Sequence, residues 1–197
     1  MNEKALKVLE FYKIRERLTS FAVSPMGKEQ AEALSPMTHY YELHNAQRET
    51  TEAVAMTLRK GNLPLGGIRE VRPQLKRAAM GGILSIPDLM AIGEFLYVCE
   101  KLKKYAYHEN KNESYERLDG QFALITPAPA LEREISRCIL SETQLADDAS
   151  PGLRSVRRDI RNAGDKVKDQ LNSIINSPSY RTMLQDNVVT IRNDRYC

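Results

Sequence analysis

Residues 150–178 read SPGLRSVRRDIRNAGDKVKDQLNSIINSP, and their pattern decides the fold class. Ser150 can cap a helix, and Pro151 suits the first helical position, where its missing N–H is no loss. Leu153, Val156, Ile160, Ala163, Val167, Gln170 or Leu171, and Ile174 then recur at three- and four-residue spacing. That rhythm predicts one long helix with a narrow apolar seam of the kind two-helix coiled coils use. Pro178 ends it. A helix of about 26 residues spans about 39 Å. Arg154, Arg157, Arg158, Arg161 and Lys168 fall opposite or beside the seam, with Asp159, Asp165 and Asp169 among them.

Working back toward the N-terminus, every segment reads as helix or connector. Residues 3–22 predict a helix with Phe11, Ile14, Leu18, Phe21 and Ala22 on one face. Ser24-Pro25 opens a short helix that stops near Ser35-Pro36. Residues 38–60 form a long helix with Tyr40, Leu43, Gln47, Thr50, Val54 and Thr57 as its inner stripe, stopped by Gly61-Asn62. Residues 63–68 are an irregular loop. A short helix follows over 73–80, ended by Gly81-Gly82. Ser85-Ile86-Pro87-Asp88 is a capping box opening a helix to about Tyr107, with Leu89, Ile92, Leu96 and Cys99 inward. A polar loop over 108–113 leads to a helix near 114–124. After Pro127 and Pro129, Leu131, Ile135, Cys138 and Ile139 mark one more. Residues 141–150 are acidic and loop-like.

Beyond Pro178 the character changes. Val188-Val189-Thr190-Ile191 is β-branched, Arg192 to Arg195 suits a turn, and Tyr196-Cys197 would begin a return strand. Two residues are too few to close a hairpin, so the chain is expected to be a fragment cut inside a strand pair.

The composition excludes several classes. The chain has 197 residues, 42% hydrophobic and 28% charged, which is ordinary for a globular protein. Cys99, Cys138 and Cys197 are far apart and odd in number, which excludes a disulfide framework or a cysteine zinc site and suits a reducing compartment. No uncharged apolar run approaches 18 residues, so a cytoplasmic location is expected. The net charge is +3. From Pro151 onward there are nine basic and five acidic residues, against 20 and 21 before it. A surface for polyanions is therefore expected in the last quarter.

Catalytic chemistry is not legible. Gly27-Lys28 lacks the spacing of a phosphate loop. Gly66-Gly67 and Gly81-Gly82 follow no strand of a βαβ unit and read as turns. His39 and His44 lie about 140° apart around a helix and cannot share a metal, and His108 stands alone. Asp147-Asp148 lies in an acidic loop without an evident basic partner. The basic set Arg154, Arg157, Arg158, Arg161 and Lys168 is the one informative constellation. It reads either as a solvated face laced with ion pairs or as a rod meeting nucleic-acid phosphates, with Arg192 and Arg195 as further phosphate contacts. No aromatic side chains accompany it to stack on bases.

Several separated motifs occur together. They are Ala22-Val23-Ser24-Pro25-Met26-Gly27-Lys28-Glu29-Gln30-Ala31 with Pro36, then Leu63-Pro64-Leu65-Gly66-Gly67-Ile68-Arg69-Glu70-Val71-Arg72-Pro73, and Val189-Thr190-Ile191-Arg192-Asn193-Asp194-Arg195-Tyr196. In this order, behind the opening MNEKALKVLEFYKI, they resemble the core domain of MutS-type ATPases. The likeness is to bacterial MutS family II, the SMR-tailed paralogue, over nearly the whole chain. Mismatch-repair relatives carry a recognition domain with a Phe-x-Glu motif before the core, and here the core-like helix begins at residue 3.

The resemblance implies an all-α fold: a helical core over 1–145, a lever helix over 146–178 and the entry to a clamp domain over 179–197, starting a small β element. It implies a parent that is a cytoplasmic, dimeric, DNA-binding ATPase using ATP and magnesium, with an SMR endonuclease domain. The implied substrates are branched DNA, in suppression of recombination, or stalled ribosomes and their rRNA. No catalytic, cofactor or metal residue is assigned within this chain, whose role would be mechanical. The alternative is a helical protein–protein interaction module with no nucleic-acid role.

Overall fold

The first helical run breaks where no glycine or proline marks a break. In the computed structural model, which describes residues 3–107, 114–181, 189–192 and 195–196, α1 (Glu3–Val8) and α2 (Phe11–Phe21) replace the expected single helix over 3–22. Glu10 adopts a left-handed conformation (φ 53°), and its carboxylate pairs with Lys13 at 2.6 Å. The expected apolar face of α2 is largely open, with Phe21 71% exposed.

The chain continues through α3 (Pro25–Glu32), α4 (Tyr40–Lys60), α5 (Arg72–Ala79), α6 (Ile86–Ala106), α7 (Glu116–Ala123) and α8 (Pro129–Cys138). It goes on through β1 (Ile139–Ser141), β2 (Gln144–Leu145), α9 (Pro151–Asn176), α10 (Pro178–Arg181), β3 (Ile191–Arg192) and β4 (Arg195–Tyr196). The fold is all-α with small β elements. It divides into two compact units, Met1–Gln144 and Leu145–Cys197.

Helix starts follow local chemistry. Ser24 Oγ accepts from the Gly27 amide at 3.0 Å. Ser85 Oγ accepts from the Asp88 amide at 3.3 Å, while the Ser85 amide donates to Asp88 Oδ2 at 3.0 Å, so the capping box is complete. Ser150 Oγ accepts from the Leu153 amide at 3.1 Å. Proline occupies an early position in each of these three helices. The stop after α5 requires glycine. Gly81 has φ 77°, and a Cβ at Gly82 would lie 3.0 Å from the Arg77 carbonyl oxygen, against which the Gly82 amide bonds at 2.9 Å.

In the first unit the central rod is α6. Val71, Ala91 and Ile92 form its buried core, with Leu84, Phe95, Leu96 and Ile135 packed around them. Gly93 lets α8 come close: a Cβ there would meet Ile135 Cγ2 at 3.1 Å. Of the four residues expected inward on α6, Ile92 is buried while Leu89, Leu96 and Cys99 are half-buried, and Val98 and Leu102 are more deeply buried than those three.

The inner stripe of α4 differs from expectation. Tyr40, Leu43 and Val54 are exposed, and Met56 is fully buried at 0% exposure. The covered face runs through Asn45, Glu49, Glu52, Ala53 and Met56. The helix turns this face inward because one of its polar members, Glu52, is used. Glu52 Oε2 accepts from the amides of Arg117 (3.0 Å) and Leu118 (3.2 Å), the first turn of α7. At the other end of α7, Lys103 Nζ donates to the carbonyls of Phe122 (2.9 Å) and Ala123 (3.2 Å). An anion at the N-terminus and a cation at the C-terminus both match the helix dipole. The ends of α4 and α6 are cross-tied as well. Lys60 Nζ donates to the carbonyls of Tyr105 and Tyr107 at 2.9 Å, and Tyr105 Oη donates to Gly61 O at 2.7 Å.

Arg72 joins α3 to the start of α5. Its guanidinium reaches Glu29 at 2.7 Å and Glu70 at 2.6 Å. The hydrogen bonds from Arg72 hold the Glu70 carboxyl down at about 2.

Residues 141–150 are not wholly loop: β1 and β2 form a two-stranded sheet, and Ile139, expected in the preceding helix, is its first residue. The last segment also differs. Two residues on each side suffice to pair, with Ile191 opposite Tyr196 and Arg192 opposite Arg195 in an antiparallel register. The expected strand start at Val188, the turn residues Asn193 and Asp194, the 108–113 loop with His108, and Cys197 lie outside the described residues.

Candidate nucleic-acid interface

The basic constellation is set by the start of α9. With Ser150 capping the helix, residues 154, 157, 158, 161 and 168 fall within an arc of about 100° on its surface. Arg154 to Lys168 covers about 21 Å of helix length at 1.5 Å per residue. Leu153, Val156, Ile160, Val167 and Ile174 occupy another side, and Ile160 is 65% exposed. The seam predicted from the sequence therefore exists and is open to solvent along much of its length.

The turn ahead of the helix folds back on the arginines. The Ala149 amide donates to the Ala146 carbonyl at 3.1 Å, closing the turn that carries Asp147 and Asp148. Arg157 donates to the Leu145 carbonyl at 2.8 Å and to the Asp147 carboxylate. Arg161 donates to the other oxygen of Asp147 at 2.9 Å. Arg154 reaches Asp148 at 3.4 Å. Hydrogen bonds from Arg157 first, then Arg161, hold the Asp147 carboxyl below the usual carboxylate range. Arg157 is the most enclosed of the set, its side chain 30% exposed.

The expectation that Asp147-Asp148 lacks a basic partner is thus corrected. Its partners stand 10 and 14 residues further on for Asp147, and six for Asp148. The acid turn is the feature that sequence reasoning missed. Its available signal was the acidic pair just ahead of an Arg-rich first three turns, which a helix N-terminus also favours.

The other basic residues are placed differently. Arg158 lies 3.4 Å from Ser155 Oγ and 4.0 Å from Asp159. Lys168 is exposed and has no ion pair among the described residues. Arg192 and Arg195 are backbone partners across the terminal strand pair. The arrangement suits contacts to an anionic backbone and contains no reacting group.

Among the described residues no group of three or more His, Cys, Asp and Glu could hold a metal ion. His39 precedes α4, and the His44 ring stacks on Tyr40 at 5.8 Å. The Gly27 amide is already bonded to Ser24, so Gly27-Lys28 offers no free cradle for a triphosphate. No helix among the described residues is long and apolar enough to cross a membrane.

Curated relatives match the whole chain. The proteins described as "Endonuclease MutS2" from Lachnoclostridium phytofermentans and Acetivibrio thermocellus are each 42% identical to it across its full length. The one from a Geobacillus species is 40% identical, again over the full chain. The chain belongs to MutS family II. No protein-family model matches it. This family II chain spans about a quarter of the length of the curated relatives it matches, 25% for each of these three.

Proposed function

We propose that this chain is the core and lever of a MutS-family clamp that closes on nucleic acid, with branched DNA as its substrate in suppression of recombination. The observation that carries the reading is the full-chain likeness to proteins described as endonucleases, an activity that acts on nucleic-acid phosphodiesters. The cationic arc of α9 supports it, because arginines and lysines along one helix face suit a sequence-independent phosphate track.

In this reading residues 1–145 form a stiff base, 146–178 a lever and 179–197 the entry to the clamp. The chain transmits displacement and breaks no bond. Coupling of that kind needs an element with two discrete positions, which a long helix can supply. ATP and magnesium would act through other parts of the protein, as would the endonuclease, and two copies would enclose the substrate. Stalled ribosomes are the second substrate the family likeness brings, through the same phosphate chemistry on rRNA.

The test is binding of a four-way DNA junction as salt is raised. Affinity should fall by orders of magnitude between about 50 and 200 mM salt for six or more phosphate contacts. Reversing Arg157, Arg158 and Arg161 to Glu should weaken binding and flatten that dependence. Unchanged affinity in the triple variant would remove the basic helix from the function.

A second reading has its own observation. The open seam of α9, with Val156, Ile160 and Val167 all exposed, fits a helix that pairs with protein, as a module without a nucleic-acid role. Light scattering over a concentration series separates the two: this reading requires self-association that Ile160→Ser abolishes.

A further inference from the structure

The proposed phosphate track is already partly occupied. We propose that the Asp147–Asp148 turn is an internal anion held on the Arg154, Arg157 and Arg161 face, and that a nucleic-acid backbone must displace it to reach those three arginines. The proposal rests on the nucleic-acid reading of α9 and adds its regulation.

The geometry has three parts. First, the carboxylates stand where phosphates would. Asp147 takes Arg157 on one oxygen and Arg161 on the other, and Asp148 takes Arg154. Carboxylate and phosphate are the two groups that the guanidinium fork binds best, so one replaces the other on the same donors. Second, the turn is tethered. Only Ala149 and Ser150 separate Asp148 from the helix, so its local concentration at the arginines is that of an intramolecular ligand on a very short linker. A free polyanion must outcompete it. Third, the turn can leave without unwinding the helix. The start of α9 is capped by Ser150, whose Oγ accepts from the Leu153 amide at 3.1 Å and whose carbonyl accepts from the Arg154 amide at 3.0 Å. Neither bond uses Asp147 or Asp148. The Arg157 bond to the Leu145 carbonyl at 2.8 Å also survives loss of the carboxylates.

The consequence is that the arc holds two classes of cation. Arg158 and Lys168 are open to a backbone from the start. Arg154, Arg157 and Arg161 become available only when the turn is displaced. Binding is then weaker and less salt-dependent than five cations would give. A partner or modification that draws the turn away would switch on the rest.

The experiment uses the whole 197-residue chain and a short duplex DNA, with duplex RNA of the same sequence as a parallel arm. Affinity is measured across about 50–200 mM salt for the native chain, the Asp147→Asn/Asp148→Asn variant and the Arg158→Gln/Lys168→Gln variant. Circular dichroism verifies that each is folded. The double Asn variant should bind duplex at least about tenfold more tightly at the low-salt end, with a slope of log K against log salt steeper by about three. The Gln variant should bind more weakly, with a shallower slope. If the Gln variant weakens binding while the Asn variant binds as the native chain does, the internal-anion proposal is overturned and the nucleic-acid reading stands. If neither pair of substitutions changes binding, the nucleic-acid reading fails, and this proposal with it. A second readout follows Asp147 itself. Its carboxyl carbon should titrate below the usual range in the free chain and lose its coupling to Arg157 when duplex saturates the protein. An Asp147 that keeps Arg157 at saturation overturns the displacement. A preference for the RNA arm would assign the track to A-form helices, as rRNA presents, and leave the displacement mechanism in place.

Discussion

Removing the Glu52 carboxylate should release α7. This helix has eight residues, too few to hold together alone in water. Its N-cap residue Tyr115 provides no side-chain cap to the first turn. Glu52, reaching across from α4, accepts the amides of Arg117 and Leu118 instead. Glu52→Ala removes both bonds and the anion at the positive end of the dipole. A lost helix cap costs about 0.5–2 kcal/mol, and a favourable charge at the dipole contributes about 0.3–1 kcal/mol. Water partly replaces the lost acceptor, so we expect a net loss of about 1.5–2 kcal/mol. In a unit of this size that lowers the melting temperature by about 3–8 °C. Glu52→Gln keeps an acceptor and should cost roughly half as much. The assays are thermal unfolding by circular dichroism and amide hydrogen exchange at Arg117 and Leu118. Exchange at these two amides should accelerate in the Ala variant even if the helix opens locally before the whole unit melts. A Glu52→Ala chain with native melting temperature and unchanged protection at both amides would refute the cap.

Two further outcomes follow from the first unit. Met56 is fully buried, so Met56→Ala should cost about 2–5 kcal/mol, read by denaturant unfolding. The same change at Leu58, which is exposed on the same helix, should be near neutral. The Glu70 carboxyl, held at about 2 by Arg72, lies below its unfolded value of about 4.3. A lowered carboxyl stabilises the fold above the unfolded value, and that contribution is lost as pH falls through about 2. Arg72→Gln should return Glu70 to the ordinary range in a carbon-detected titration, and its stability deficit should shrink as pH falls from about 6 to about 2. A deficit that stays constant with pH would show that Arg72 acts by packing alone.

How much of this was legible in the sequence depends on the range of the interaction. Ser24, Ser85 and Ser150 were readable as helix starts because a cap is made with atoms three residues away, and local order carries the whole signal. Gly61 and Gly81 were readable as stops for the same reason. The length of α9 followed from Pro151 and Pro178, which bound it. The break at Glu10 was not readable, since a left-handed glutamate has no sequence marker of its own. The covered face of α4 was not readable from the spacing along the helix. Glu49 and Glu52 turn inward, and Glu52 does so because the amides of α7 wait there, a fact that depends on residues 65 positions away.

The candidate interface divides in the same way. The sequence by itself determined that five cations share one face of a long helix, because helical periodicity fixes which side chains lie together. It also determined the apolar seam, but not that the seam stands open. Periodicity states which face is apolar and is silent on what covers it. Only the tertiary structure decided that Asp147 sits between Arg157 and Arg161. Ion pairs form wherever the chain brings charges within reach, and that reach was set by the turn closed between Ala146 and Ala149, not by any spacing along the helix.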